Sequence, residues 1–148
     1  MFMPTHIERS GTVRVAAPLQ DAFFFFTPDG ERRWVPGWSP EYLHPRDGLQ
    51  SAGAVFRTSA GGEETLWLIA GLDPDAGVAE YVRITPGSRM GTVSIRAEAV
   101  TSSSTLVHVT YRLTALAPVG NRVLEAFDAG FDAMMGEWAA GVAGATRP

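Results

Sequence analysis

Hydrophobic residues recur along this chain with two different periods, and the change of period divides it. Over residues 120–145, large apolar side chains fall at Leu124, Phe127, Phe131, Met134, Met135, Trp138 and Val142. Steps of three and four put them on one side of a 3.6-residue helix, so a single long helix is predicted there. Most of the chain from Glu41 to Ala115 alternates with a period of two instead. Residues 91–100 set Val93, Ile95, Ala97 and Ala99 against Thr92, Ser94, Arg96 and Glu98; residues 105–115 set Val107, Val109, Tyr111 and Leu113 against Leu106, His108, Thr110 and Arg112. Ser102-Ser103 lies between the two runs and predicts a hairpin. One-sided polarity of this kind belongs to an antiparallel sheet with one wet face.

The remaining segments extend the same pattern. Residues 54–58, 65–72 and 78–85 are strand candidates, separated by Gly61-Gly62 and by the turn residues 73–77. Residues 41–44 form a shorter strand and residues 45–53 a loop. The alternation of Thr12 to Val15 closes a first strand over residues 6–15. Pro18 suits the first turn of a helix, where its missing N–H costs nothing. A short helix over residues 19–26 follows, with a strand over the four phenylalanines Phe23 to Phe26 as the alternative; these rings would bridge it to both the sheet and the terminal helix. Thr27-Pro28-Asp29-Gly30 ends either one. Residues 31–35 are long enough for one or two helical turns before Pro36-Gly37 forces a turn and Trp38 follows. Pro118, Gly120 and Asn121 stop the sheet and can cap the long helix.

The predicted order is strand, two short helices, about six strands, long helix. A parallel α/β fold needs helices between its strands, and an all-β barrel has no use for so long an apolar-faced helix. The expected class is α+β. One helix must then cover a large sheet, which works only if the sheet curves around it, and that geometry encloses an apolar space suited to a ligand. Gly130, Gly136 and Gly141 each weaken the helix by up to about 1 kcal/mol relative to Ala, so packing outweighs them or they make room for something pressed against it. No repeat or linker interrupts the chain, and residues 1–148 are expected to form one domain.

Several phrases, taken with this order, resemble the SRPBCC superfamily, the START-like helix-grip proteins that include the birch-pollen allergens, the steroidogenic lipid-transfer domains and the polyketide cyclase/dehydrase-like proteins. The resembling residues are Val13-Arg14-Val15-Ala16-Ala17-Pro18 running into Ala22-Phe23, Gly30-Glu31-Arg32-Arg33-Trp34 with Pro36-Gly37-Trp38, residues 53–58, Gly91-Thr92-Val93, the closing strand over residues 107–113 and the terminal helix. The polyketide cyclase-like branch is the most similar. The resemblance implies a seven-stranded antiparallel sheet curled around the C-terminal helix, with a cavity between. No catalytic motif of that branch is matched residue by residue, so no catalytic residue is carried over.

Composition narrows the chemistry. A net charge of −4 with the signs interspersed supplies no basic stripe, which argues against nucleic-acid partners and against attraction to anionic membranes. The chain contains no Cys, so disulfides, thiolate zinc sites and cysteine nucleophiles are excluded. It contains no Lys either; all twelve basic residues are Arg. A lysine Schiff base and a phosphate-loop lysine are therefore ruled out, although a GC-rich coding sequence explains the bias without any function. The first six residues have neither a basic nor an apolar region of a signal peptide, and the longest apolar run, residues 22–26, is far too short to span a bilayer. A cytoplasmic location is the expectation. His6, His44 and His108 show no metal-ligand spacing, and neither metal nor cofactor is expected. His44, at a strand end, is the better acid/base candidate of the three. Asp128 and Asp132, four apart on the helix, could hold a cation, though a solvated face is the simpler expectation.

The candidate ligand-binding residues are Trp34, Trp38, Phe56, Trp67, Tyr81, Phe127, Phe131, Met134, Met135 and Trp138. Trp34 and Trp38 flank a Pro-Gly turn and could rim a cavity mouth. Of the helix stripe Phe127, Phe131, Met134, Met135 and Trp138, at least two are expected to touch the cavity. Tyr81 and Arg83 share a strand face; inward, they would orient a ligand carbonyl or carboxylate, but the apolar face with Val82 and Ile84 is the expected inner one. The function expected is binding of a small hydrophobic molecule, such as a lipid, polyketide-like or aromatic metabolite, without reaction. The alternative is a cyclase/aromatase- or dehydratase-like enzyme, which requires a titratable pair inside the cavity. A homodimer formed along an exposed edge strand is open.

Overall fold

In the computed structural model, which describes residues 1–146, the strands are β1 (His6–Val15), β2 (Glu41–His44), β3 (Val55–Ala60), β4 (Glu63–Asp73), β5 (Val78–Thr85), β6 (Arg89–Thr101) and β7 (Ser104–Ala115). The helices are α1 (Leu19–Phe24), α2 (Pro28–Glu31) and α3 (Pro118–Thr146). The strands form one antiparallel sheet in the order β1-β7-β6-β5-β4-β3-β2. Its hairpins follow the turn residues: Gly61 and Gly62, both at positive φ, join β3 to β4, and Ser102-Ser103 joins β6 to β7. This is the helix-grip fold, with α3 held in the concave side of the sheet.

β1 returns alongside β7, pairing Val13 with Val107 and Gly11 with Val109. Gly11 is where β1 passes beneath α3: a Cβ there would stand 2.9 Å from Met135 Cγ. A salt link reinforces the contact, Arg9 donating to the Asp128 carboxylate at 2.9 Å and to Asp132 at 3.2 Å, with its guanidinium 4.8 Å from the Phe131 ring centroid. The two helix carboxylates thus serve Arg9 rather than water alone. Leu124, Phe131, Met135 and Val142 of α3 are buried against the sheet with Val13, Val107 and Val109, and Phe127 and Met134 are half-buried beside them.

Three local expectations are corrected. α1 ends at Phe24, two residues early. α2 begins at Pro28 rather than Glu31, because Thr27 is a good N-cap: its Oγ1 accepts from Gly30 N–H at 3.1 Å, and Pro28 takes the first helical position. Asn121 does not cap α3; its side chain accepts from Thr5 N–H and donates to the Met3 carbonyl, fastening the N-terminal segment.

The expected face of β5 is also reversed. Tyr81 and Arg83 point inward, and Val82 and Ile84 lie on the convex side. There they make an apolar row across the strands, Val82 opposite Leu68 and Ile84 between Leu66 and Met90. These neighbours shield one another laterally, so aliphatic residues are tolerated outside. The concave side must reach across a gap, which takes long side chains.

Candidate functional site

A cavity of about 170 Å³ lies between the concave face, α2 and the far end of α3. The sheet supplies Phe56, Trp67, Tyr81, Arg83, Val93, Ile95 and Tyr111, while α3 supplies Trp138. The fourth side is a helically spaced row, Pro28, Glu31, Val35 and Trp38, from α2 and the turn after it. α2 sits tightly on the end of α1; a Cβ on Gly30 would fall 1.7 Å from the Phe24 carbonyl oxygen. Only glycine permits that approach, and it aims the next side chain, Glu31, into the cavity.

The aromatic walls are locked by their own hydrogen bonds. Phe56 and Trp67 stack with planes 4° apart and centroids 5.7 Å apart, and Trp38 meets Trp67 edge-on at 5.7 Å. The indole N–H of Trp67 donates to Thr58 Oγ1 at 3.0 Å and that of Trp38 to the Pro28 carbonyl at 2.8 Å. The Tyr81 hydroxyl donates to the Phe26 carbonyl at 3.0 Å. These groups are committed to the protein and shape the space without being free to hold a ligand.

Arg83 and Glu31 are not committed in this way, and neither are the Tyr111 hydroxyl and the Trp138 indole N–H, which make no hydrogen bond among the described residues. Arg83 Nε is a buried side-chain nitrogen without a hydrogen-bond partner among the described residues, and its guanidinium lies 4.8 Å from the centroid of the Trp67 ring. Burial lowers the Arg83 pKa, but from so high a value that the side chain remains cationic. Glu31 lines the cavity and keeps part of its surface accessible. Desolvation raises its carboxyl pKa to about 8, so it carries its proton at neutral pH. Burial likewise pushes the Tyr81 and Tyr111 hydroxyls up and keeps them neutral. The cavity therefore presents one cation, one neutral acid and two phenols inside an apolar shell.

A second pocket of about 210 Å³ adjoins the first and shares Val35, Trp38, Trp67 and Arg83 with it. It lies between the Pro36-Gly37 turn and the β3–β4 hairpin tip, lined also by Thr58, Ser59, Ala60, Glu63 and Thr65. Arg83 stands at the junction of the two.

Of the ten residues singled out in the sequence, five line the cavity: Trp38, Phe56, Trp67, Tyr81 and Trp138. Trp34 packs behind it, edge-on to Trp138 at 5.4 Å, with its indole N–H on the Phe25 carbonyl. Of the five helix-stripe residues only Trp138 reaches the space. Phe131 and Met135 are buried against the sheet, Phe127 lies against Tyr111 with ring centroids 5.0 Å apart, and Met134 is half-buried against the core. α3 lies on β1 and β7 so that most of its stripe meets strands directly, and of the stripe only Trp138, in its C-terminal half, borders the gap. His6, His44 and His108 lie outside both pockets. Glu31 and Tyr111 were not foreseen as site residues. The signal for Glu31 is its place in the row Pro28, Glu31, Val35, Trp38, the one acid on an otherwise apolar helical stripe.

No family model matches this sequence, and no curated protein matches it. Solved structures do match its backbone. Truncated norcoclaurine synthase from Thalictrum flavum superposes with a TM-score of 0.67 at 12% identity, covering 94% of this chain and 93% of that one. The Zhui aromatase/cyclase from Streptomyces sp. R1128 gives 0.62 at 19% identity, with 93% of each chain covered. Ara h 8.0201 gives 0.64 at 16% identity, covering 95% of this chain and 98% of its own. At such identities the likeness establishes the fold, which is the one the SRPBCC resemblance implied.

Proposed function

We propose that this helix-grip chain, acting as one unit over residues 1–148, binds a small, mainly aromatic molecule in the cavity between its sheet and C-terminal helix. The observation that carries this is the aromatic lining of unfilled space, with the packed trio Phe56, Trp67 and Trp38 on one side and Trp138 of α3 on another. Apolar burial supplies about 25 cal/mol per Å² before ordering costs, and rigid, hydrogen-bonded walls keep those costs small. The neighbours named above include two enzymes, which supports a role in handling a small molecule. The test is native mass spectrometry of the protein purified from its own source. A copurified small molecule, released on unfolding, is the expected result; bare protein that gains no thermal stability from any single-ring aromatic compound would refute binding.

A second reading is favoured by Glu31. A carboxyl that holds its proton at neutral pH in the same cavity as a cationic guanidinium is the equipment of general acid catalysis in a cyclase- or dehydratase-like reaction. Glu31 would protonate a departing hydroxyl, the carbon–oxygen bond would break, and the carboxylate would regain a proton from the adjacent carbon, with Arg83 stabilising negative charge on a nearby oxygen. Loss of turnover in Glu31→Gln with ligand binding retained is the outcome that separates an enzyme from a binder.

A further inference from the structure

We infer that the occupant of this cavity is an organic acid of about one aromatic ring, held as its anion with the carboxylate on Arg83. The inference rests on the cavity binding proposed above and adds the charge and size of the ligand. Five other arginines, Arg9, Arg32, Arg57, Arg89 and Arg112, each lie within 4.0 Å of a carboxylate. Arg83 has no carboxylate at that distance among the described residues: Glu63, across the second pocket, is paired with Arg89 and acts on Arg83 only through space, though burial makes Arg83 the one most in need of a counter-charge. Glu31 faces the same cavity but is protonated at neutral pH and does not neutralise it.

The geometry around Arg83 favours a planar anion. The guanidinium lies over the Trp67 ring, so one face is occupied and its terminal nitrogens are left for a ligand. Nε is sealed from the space, whereas the two terminal nitrogens are not, and that pair forms a fork that can grip a carboxylate with two parallel hydrogen bonds. The β6 residue paired with Arg83 is Gly91, so no side chain stands beside it at that register. Arg83 also borders both pockets, which sets the carboxylate at their junction and the ring inward against Phe56, Trp67 and Trp138. The inner cavity, at about 170 Å³, matches one ring, since an apolar cavity of roughly 150 Å³ takes up a single benzene.

The test is calorimetric titration of the full chain at about pH 6, where benzoate is ionised and Glu31 is not. The probes are benzoate, its neutral counterpart benzyl alcohol, and 2-anthroate. Benzoate is expected to bind about tenfold or more tightly than benzyl alcohol, and Arg83→Gln to abolish that preference while still binding benzyl alcohol, which also shows that the variant folds. Equal binding of benzoate and benzyl alcohol by the native chain, or a benzoate preference that survives in Arg83→Gln, would overturn the anion. Binding of 2-anthroate as tight as that of benzoate would overturn the one-ring limit. Failure of both benzoate and benzyl alcohol to bind would instead remove the cavity-binding proposal, and this inference with it.

Discussion

Trp34 lies against Gly141 of α3, where a Cβ would stand 3.0 Å from Trp34 Cε3 and 3.4 Å from its carbonyl oxygen. The indole cannot retreat: its N–H is tied to the Phe25 carbonyl at 2.7 Å, and its ring is packed on Phe26 and Trp138. The glycine lets the helix close on the layer that backs the cavity. Gly136, by contrast, has nothing within 4 Å of a built Cβ. Gly141→Leu is therefore expected to destabilise by about 1–3 kcal/mol through overpacking, and Gly136→Ala to stabilise by up to about 1 kcal/mol through helix propensity. Urea denaturation of the two variants checks both; a neutral Gly141→Leu would mean that the Trp34 contact is loose.

Glu31 makes stability depend on pH in the direction opposite to most carboxylates. Its pKa rises from 4.5 to about 8 on folding because burial disfavours the charged form. Between those values the folded chain keeps a proton that the unfolded chain has released, so stability falls as pH rises. The favourable contribution is complete below the lower value and lost above the upper one. In Glu31→Gln this part of the dependence should vanish, and the variant should exceed the parent near pH 8 by a few kcal/mol at most. Unfolding midpoints across the range decide it: parallel profiles for parent and variant would show that Glu31 ionises normally.

Arg83 is expected to cost the empty protein stability. A buried cation with no carboxylate in direct contact is unfavourable, and a methionine of similar length keeps the packing against Trp67 without the charge. Arg83→Met should raise unfolding stability by about 1 kcal/mol, the loss of the cation–π contact partly offsetting the gain. A drop of that size in chemical denaturation would show instead that the guanidinium is satisfied within the fold.

What could be read from the sequence follows from how far each pattern reaches. The periods of two and 3.6 located the strands and α3, since each is set by burial on one side of a single element. The face of β5 was misjudged because both faces carry large side chains: Val82 and Ile84 find lateral neighbours outside, whereas Tyr81 and Arg83 are needed to cross the gap inside. The helix stripe marked apolar contact, but spacing on one helix does not say which residues meet a strand and which meet a void. That division, with Trp138 at the cavity and Phe131 and Met135 at the sheet, is fixed by the seating of α3 on β1 and β7 at one side of the sheet. Glu31 depended on the short helix starting at Pro28, three residues before the expected position.

Trp138 is the residue through which α3 controls the size of the cavity. Its ring touches Phe26, Trp34 and Tyr111, with centroids 6.1, 5.4 and 6.3 Å away, and its remaining surface faces the space. Truncation to alanine removes the aromatic end wall, and the neighbouring rings cannot close the gap, because Trp34 is tied to Phe25 and Tyr111 is fixed in β7. The expected cost is about 3 kcal/mol, the range for losing a large aromatic from a core that relaxes only in part. The same change should reverse the order of ligand sizes, so that a fused-ring acid binds Trp138→Ala better than benzoate does. Both effects have one physical cause, a void left where the indole stood, and titration alongside denaturation reads them together. Lost stability with unchanged ligand selection would mean that the cavity had collapsed onto the vacated volume.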